Sequence, residues 1–288
     1  ARRMLLLLSR STEQETALRQ FLDDQQTAGS PNYHRWLTAE EFGQMFGPSD
    51  SDVQTVATWL MNSGFQVDKV SPGRNAIEFS GSAGQLKQVF RTELHKYVVG
   101  GKAHWANAND PQIPEALAPV VQGFVSLNDF PRKSYAHKFG KFKRDRSTGG
   151  ASPLFTIPTP NGNYYPLGPG DLGVIYNSTP LLQTGNDGTG QTIAIVGETN
   201  INPQDVTDFR NMFGLSNTPD NHTSVILNGP DPGIVSDEVE ALLDTEWSGA
   251  TAPGAHIVLV TSQSTETTSG VDLSALYIID NNLAPVMS

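Results

Sequence analysis

The sequence predicts two domains of different class: an α+β domain with helices on an antiparallel sheet, then an α/β domain on a parallel sheet. Three observations predict it. Residues 1–130 mix local helix signals with short alternating strands that reverse at Pro-Gly and Gly-Gly turns. Residues 131–163 lose all apolar periodicity and are rich in Lys, Arg, Gly, Ser and Pro, the composition of a linker. From Tyr164 onward apolar strands alternate with helices, the pattern of parallel strands joined by right-handed crossovers. The 288 residues, 37% apolar with 13 Phe and 4 Trp, are enough for two cores.

In the first domain, Met4–Ser9 reads as a buried strand, and Ser11 or Thr12 opens a helix, Thr12 and Glu15 standing at capping-box spacing. After the aromatic loop Ser30–Leu37, Thr38 and Glu41 make a second capping box for a helix to Phe46. Asp50 or Ser51 caps a helix to about Ser63. Phe65–Val70 and Ala76–Phe79 alternate as strands around Pro72-Gly73, and Ser82–Phe90 is helical. Glu93–Val99 and Lys102–Trp105 form a hairpin at Gly100-Gly101. A Pro-bounded helix over Glu115–Val121 and a strand over Gly123–Leu127 complete the domain. In the second, Gly170–Tyr176 is a short helix and Gln191–Val196 a buried strand. Asn202 caps a helix with Pro203 at its first position. Val225–Leu227 and His256–Val260 are strands, Gly270–Asp280 a helix, and Ala284–Ser288 reads as an unfinished strand.

Charge divides the chain more sharply than its net of −11 suggests. Residues 1–131 carry 11 Lys and Arg against 14 Asp and Glu; residues 132–146 carry 7 against 1. Residues 147–288 carry one cation, Arg210, against 15 carboxylates. Such a surface repels nucleic acid and anionic membranes, which excludes both as partners, and repels itself least in acid. It predicts an acid-tolerant, secreted protein. The basic linker is expected to lie on the acidic surface at neutral pH and to loosen as carboxylates protonate. The chain has no cysteine, which removes disulfides and thiolate metal sites. Its leading apolar run, Met4–Leu8, is far too short to span a bilayer. Both ends read as cut, so a signal peptide upstream and further chain downstream are expected.

The chemistry concentrates in Ser236–Ala255, SDEVEALLDTEWSGATAPGA. It reads as an amphipathic helix, a Gly/Pro turn and the start of a strand. At 100° per residue, Val239, Leu242, Leu243 and Trp247 form a core-facing stripe of roughly 140°. Glu240 and Asp244 stand four apart at its edge, carboxylate above carboxylate. Like charges there cost a few tenths of a kcal/mol on an exposed helix. Dipole complementation accounts for Asp237 and Glu238, less well for Glu240, and hardly for Asp244. The pair is either a solvated acidic face or a working carboxylate couple. Glu246 falls inside the apolar stripe and reads as a buried structural carboxylate bonded to backbone or loop groups.

Rival chemistries find little support. The first strand of the second domain is followed by Gly197 alone, so a Gly-x-Gly-x-x-Gly dinucleotide loop is missing. His222, in a polar loop, and His256, at a strand start, are poorly suited to a Ser/His/Asp triad.

Glu240-Ala-Leu-Leu-Asp244 followed by Ala252-Pro-Gly-Ala255 closely resembles the Glu-x-x-x-Asp signature of the sedolisins, the serine-carboxyl peptidases. Pro31–Gly47 (PNYHRWLTAEEFGQMFG), Pro72-Gly73-Arg74 with Ile77-Glu-Phe79, and His104-Trp-Ala-Asn107 resemble the family's kumamolisin-like activation domain. Tyr165-Pro-Leu and Leu172–Tyr176 resemble the start of a mature sedolisin, and Gly188–Val196 its first core strand.

The resemblance implies a prodomain over residues 1–130 that assists folding and acts as the chain's own inhibitor. It implies a maturation site within 131–163, and over 164–288 the N-terminal part of a subtilisin-like catalytic domain, truncated at its C-terminus. It further implies hydrolysis of polypeptide substrates at acidic pH by a secreted, extracellular, monomeric bacterial serine endopeptidase. Glu240 would be the general base for the serine, and Asp244 its proton-sharing partner. Glu198, one residue displaced from a position that carries a further carboxylate in some sedolisins, is a candidate member of the network, with Glu246. In sedolisins the serine, the oxyanion Asp and the calcium loop all lie later than Ser288, so Ca2+ is implied without a site here, and the chain is expected to be inactive as it stands. Acid suits this design: at pH 4 only about 0.3% of a free His is neutral, whereas a Glu near its own pKa remains a competent base. A catalytically dead, secreted sedolisin-like binding module is the alternative.

Overall fold

A computed structural model of the chain describes residues 1–131, 157–216 and 222–288. It is a mixed α/β structure with one antiparallel and one parallel four-stranded sheet. The chain groups into two compact units, Ala1–Arg132 with Ser264–Asn282, and Lys133–Gln263 with Leu283–Ser288. The basic stretch 132–146, and with it the expected contact between that stretch and the acidic surface, lies outside the described residues.

In chain order the first unit begins with β1 (Met4–Leu8), α1 (Thr12–Gln26), α2 (Ala39–Phe46), α3 (Asp50–Asn62), β2 (Gln66–Val70) and β3 (Ala76–Ser80). It continues with α4 (Ala83–Val89), β4 (Leu94–Val99), β5 (Lys102–Asn107) and β6 (Val121–Phe124). The sheet order is β2-β3-β1-β6, antiparallel throughout. Met4, Leu6 and Leu8 sit in its core with Val53, Val56 and Leu60 of α3 and Leu86 of α4. Four phenylalanines fill the centre: Phe65 packs edge-on against Phe79 at 5.2 Å, and Phe90 against Phe124 at 4.9 Å. Edge-to-face rings of this kind add to the energy of burial. β4 and β5 pair only as a separate two-stranded ribbon.

Capping chemistry sets the helix starts, with two corrections to the sequence expectations. Ser11, not Thr12, caps α1, its side chain accepting from Gln14 N while Gln14 reaches back to Ser11 N. Glu15 instead pairs with Arg10 and Arg19. Ser49, not Asp50 or Ser51, caps α3 by accepting from Asp52 N. In both places neighbouring residues are competent caps, so spacing alone could not choose. Thr38 and Glu41 form the expected capping box of α2, with bonds of 3.2 and 2.8 Å. Thr38→Ala is expected to lower the stability of the chain by about 1 kcal/mol in a urea titration. Gly43 of α2 is required by close approach, since a Cβ there would lie 2.2 Å from the Pro72 carbonyl oxygen. The helix expected over Glu115–Val121 shrinks to one 3-10 turn, Glu115–Leu117, because Pro114 and Pro119 leave no room for a full turn of i to i−4 bonds.

The second unit begins its described part with a ribbon inside the stretch expected as linker, β7 (Ile157–Thr159) with β8 (Gly162–Tyr164). Then come α5 (Pro169–Ile175), α6 (Thr179–Gln183), which sequence patterning missed, β9 (Thr192–Gly197), α7 (Pro203–Met212), β10 (Thr223–Leu227) and α8 (Glu238–Thr251). β11 (His256–Thr261), α9 (Gly270–Asp280) and β12 (Val286–Met287) follow, of which α9 groups with the first unit. The order β10-β11-β9-β12 is wholly parallel, as the alternation of strands and helices predicts. Its core includes Ile195, Ile257, Leu259, Val206 and Ala241. Among the described residues no helix is long and apolar enough to cross a membrane.

Candidate functional site

The acidic helix α8 is seated differently from the expected stripe. Its buried residues are Ala241, Thr245, Gly249 and Ala250, while Leu243 is 41% exposed. Ala241, Thr245 and Gly249 form a ridge at i, i+4 and i+8 that turns toward the sheet. At Gly249 a Cβ would sit 3.4 Å from Ile257 Cγ1 and 3.2 Å from the Arg210 guanidinium, so helix and sheet meet through small residues. Hydrophobicity alone misjudges such a face, because a close approach selects for lack of volume. Trp247 packs on Phe209 of α7, ring centroids 5.9 Å apart.

Arg210 fixes the far end of α8. Although only 2% exposed, it donates to the carbonyls of Gly249 (3.2 Å), Pro253 (3.0 Å) and Ser216 (2.6 Å). A buried cation on the last carbonyls of a helix satisfies orphan acceptors and the negative end of the dipole together. Burial pushes its pKa down. Beyond it, the Ala252–Ala255 turn packs under Gly188, whose positive φ of 86° and approach to Ala252 and Ala255 suit only glycine. Two segments that carry the sequence resemblance thus touch.

At the near end, the loop after β9 is tied to the loop before α8. Thr199 Oγ accepts from Val235 N at 3.0 Å, and Asn200 N donates to Gly233 O at 2.9 Å. The Asn200 amide reaches both oxygens of Asp231 at 3.2 Å. This stitching sets Glu198, the residue after β9, near enough to Asp237 for its charge to act there. Ligand sites in open α/β sheets lie at such carboxyl ends of strands.

Glu198, Asp237, Glu240 and Asp244 are all half-buried here. Burial first, then the charges of Glu198 and Glu240, raise the pKa of Asp237. Burial first, then Glu240 and Asp237, raise that of Asp244. Asp237 thus feels the charges of Glu198 and Glu240, and Asp244 those of Glu240 and Asp237. Asp237 is the member that sequence reasoning missed, having been assigned to the helix dipole. The signal was present, for at 100° per residue Asp237, Glu240 and Asp244 fall within roughly 60° of arc.

Glu246 stands apart. It lies roughly 160° round the helix from Asp244. Burial, with a smaller contribution from Asp205, pushes its pKa up to about 8. Contrary to expectation, no hydrogen bond or ion pair holds it among the described residues. His222 and His256 lie elsewhere: His256 Nε2 meets Ser224 Oγ at 2.9 Å in an exposed contact at the amino ends of β10 and β11. Among the described residues no group of three or more His, Asp or Glu is placed to hold a metal ion.

Residues 3–130 match the family described as Pro-kumamolisin, activation domain. The chain is 26% identical to sedolisin from Pseudomonas sp. (strain 101), over 98% of this chain and 47% of that protein. It is 31% identical to xanthomonalisin from Xanthomonas sp. (strain T-22), over 42% of this chain and 15% of that protein. With kumamolisin from Bacillus sp. (strain MN-32) it shares 26% identity over 84% of this chain and 42% of that protein. The chain spans about half the length, or less, of the curated relatives it matches.

Proposed function

Because residues 3–130 match the Pro-kumamolisin activation domain and the chain is similar to sedolisin over most of its length, we propose that it is part of a secreted, acid-acting serine-carboxyl endopeptidase proenzyme. Residues 1–130 are its inhibitory and folding-assisting domain, 131–163 the segment cut on maturation, and 164–288 the first part of a subtilisin-like catalytic domain. The protein acts as a monomer on polypeptides. The observation that carries the reading is the convergence of Glu198, Asp237, Glu240 and Asp244 at the carboxyl end of β9.

In this reading Glu240 takes the proton of a serine hydroxyl as it attacks the scissile carbonyl, and returns it to the leaving amine. Asp244, inclined to keep its proton, donates to the Glu240 carboxylate and orients it. Asp237 and Glu198 extend the couple and stabilise the shared proton.

The test is peptide hydrolysis by the full-length polypeptide across pH. The reading expects a maximum below about pH 5, where a carboxylate is a better-matched base than imidazole. A maximum near neutrality would overturn it. No hydrolysis at any pH would favour the binding-module alternative.

A further inference from the structure

The segment 264–282 is far from the N-terminal domain in sequence, yet it groups with that domain in one compact unit. Its strongest tie is at the last residue of α9. The Asp280 carboxylate is wholly enclosed; Ser71 Oγ donates to its Oδ1 at 2.5 Å, and the Lys69 ammonium lies 2.7 Å from its Oδ2 as an ion pair. Lys69 is the next-to-last residue of β2 and Ser71 precedes the Pro72-Gly73 turn. Two residues on, Asn282 sits in the left-handed region, φ 49°, and uses its side chain as a cap for another helix. Its Oδ1 accepts from Ala39 N at 2.8 Å, and its Nδ2 donates to Glu40 at 3.2 Å, both in the first turn of α2. Farther off, Ser126 Oγ donates to the Thr267 carbonyl at 2.8 Å.

We propose that Asp280, gripped by Lys69 and Ser71, is the anchor that keeps the N-terminal domain bound to segment 264–282 after the chain between them is cut. The partner that α9 recognises is thus the excised domain itself, through one buried carboxylate. The physical reason is asymmetry of cost. Removing one partner of an enclosed pair leaves the other uncompensated inside the contact and speeds dissociation, whereas removing one partner of an exposed pair leaves the other hydrated. The same unit supplies the contrast, because Arg2 and Glu266 are 4.0 Å apart with 76% and 44% of their side chains exposed. That pair should hold nothing.

The inference rests on the proposed cleavage within 131–163, and its test needs no peptidase activity. A recognition sequence for a specific protease is inserted between Gly149 and Gly150 of the full chain, the chain is immobilised by its C-terminus and cut, and release of the N-terminal piece is timed. The uncut proteins are first checked for native circular dichroism. The cut wild type should stay associated. Lys69→Met and Asp280→Asn should each release on the order of 30-fold faster or more. The double variant should release little faster than either single one, because both remove the same interaction. Arg2→Ala should stay within about twofold of wild type. If Asp280→Asn fails to fold, Lys69→Met decides alone, since Lys69 is 40% exposed and tolerates the change. Wild-type halves that part on cutting, or Lys69→Met release at the Arg2→Ala rate, would overturn the proposal. A full-length protein without peptidase activity would sink the peptidase reading and leave this release series intact.

Discussion

Glu240→Ala in the full-length polypeptide is expected to lower kcat for peptide hydrolysis by about 10²- to 10⁴-fold at the acidic optimum, with KM little changed. That is the range in which a positioned general base contributes. A fall confined to kcat marks an interaction made in the transition state rather than in substrate binding. Glu240 is half-buried on the second residue-pair of α8, alanine is a better helix former than Glu, and the Coulomb cost it imposes on Asp237 and Asp244 disappears. Stability should therefore hold or rise while activity collapses, and that opposition is the diagnostic. A variant that lost activity only in proportion to its folded fraction would argue that Glu240 is a structural residue.

The second large effect is at Glu246, and it reads out on the chain itself. Its folded pKa, pushed up to about 8, lies above the ordinary Glu value, so the folded state holds this proton more tightly than the unfolded one. The resulting stabilisation is complete below about pH 4.3 and is lost as pH rises toward about 8. Glu246→Gln keeps the shape and removes the titration. Urea unfolding should show the variant equal to wild type near about pH 4 and more stable by about 2 kcal/mol near about pH 8, a figure discounted for the part of the side chain open to water. An equal difference at both pH values would show that the carboxylate is not held neutral by burial. The same change should leave peptide hydrolysis nearly untouched, because Glu246 faces away from the Asp237–Glu240–Asp244 stripe.

Much of the fold was legible because its signals are local. The Thr38–Glu41 box, the Pro203 first position of α7, and the alternation of strands with helices each act over a few residues, and each appears where the sequence put it. What resisted reading was non-local. The burial of α8 through Ala241, Thr245 and Gly249 depends on how closely a sheet approaches, which no helical periodicity encodes. The Lys69–Asp280 pair joins positions 211 residues apart, and neither carries a pattern that names the other. The candidate site lies between these cases. Glu240 and Asp244 stand out by spacing, Glu198 needs the loop bonds of Thr199 and Asn200 to come near Asp237, and Asp237 was hidden by a sufficient electrostatic explanation of its own.

The central claim is that Asp244 holds its proton beside the Glu240 charge, and the direct measurement is the NMR titration of the Asp244 carboxyl carbon in wild type and in Glu240→Gln. The account predicts a midpoint above the ordinary Asp range in the wild type, from burial and from the Glu240 charge, and a lower midpoint once that charge is removed. An Asp244 midpoint that is ordinary in the wild type, or that does not move on losing the Glu240 charge, would contradict it.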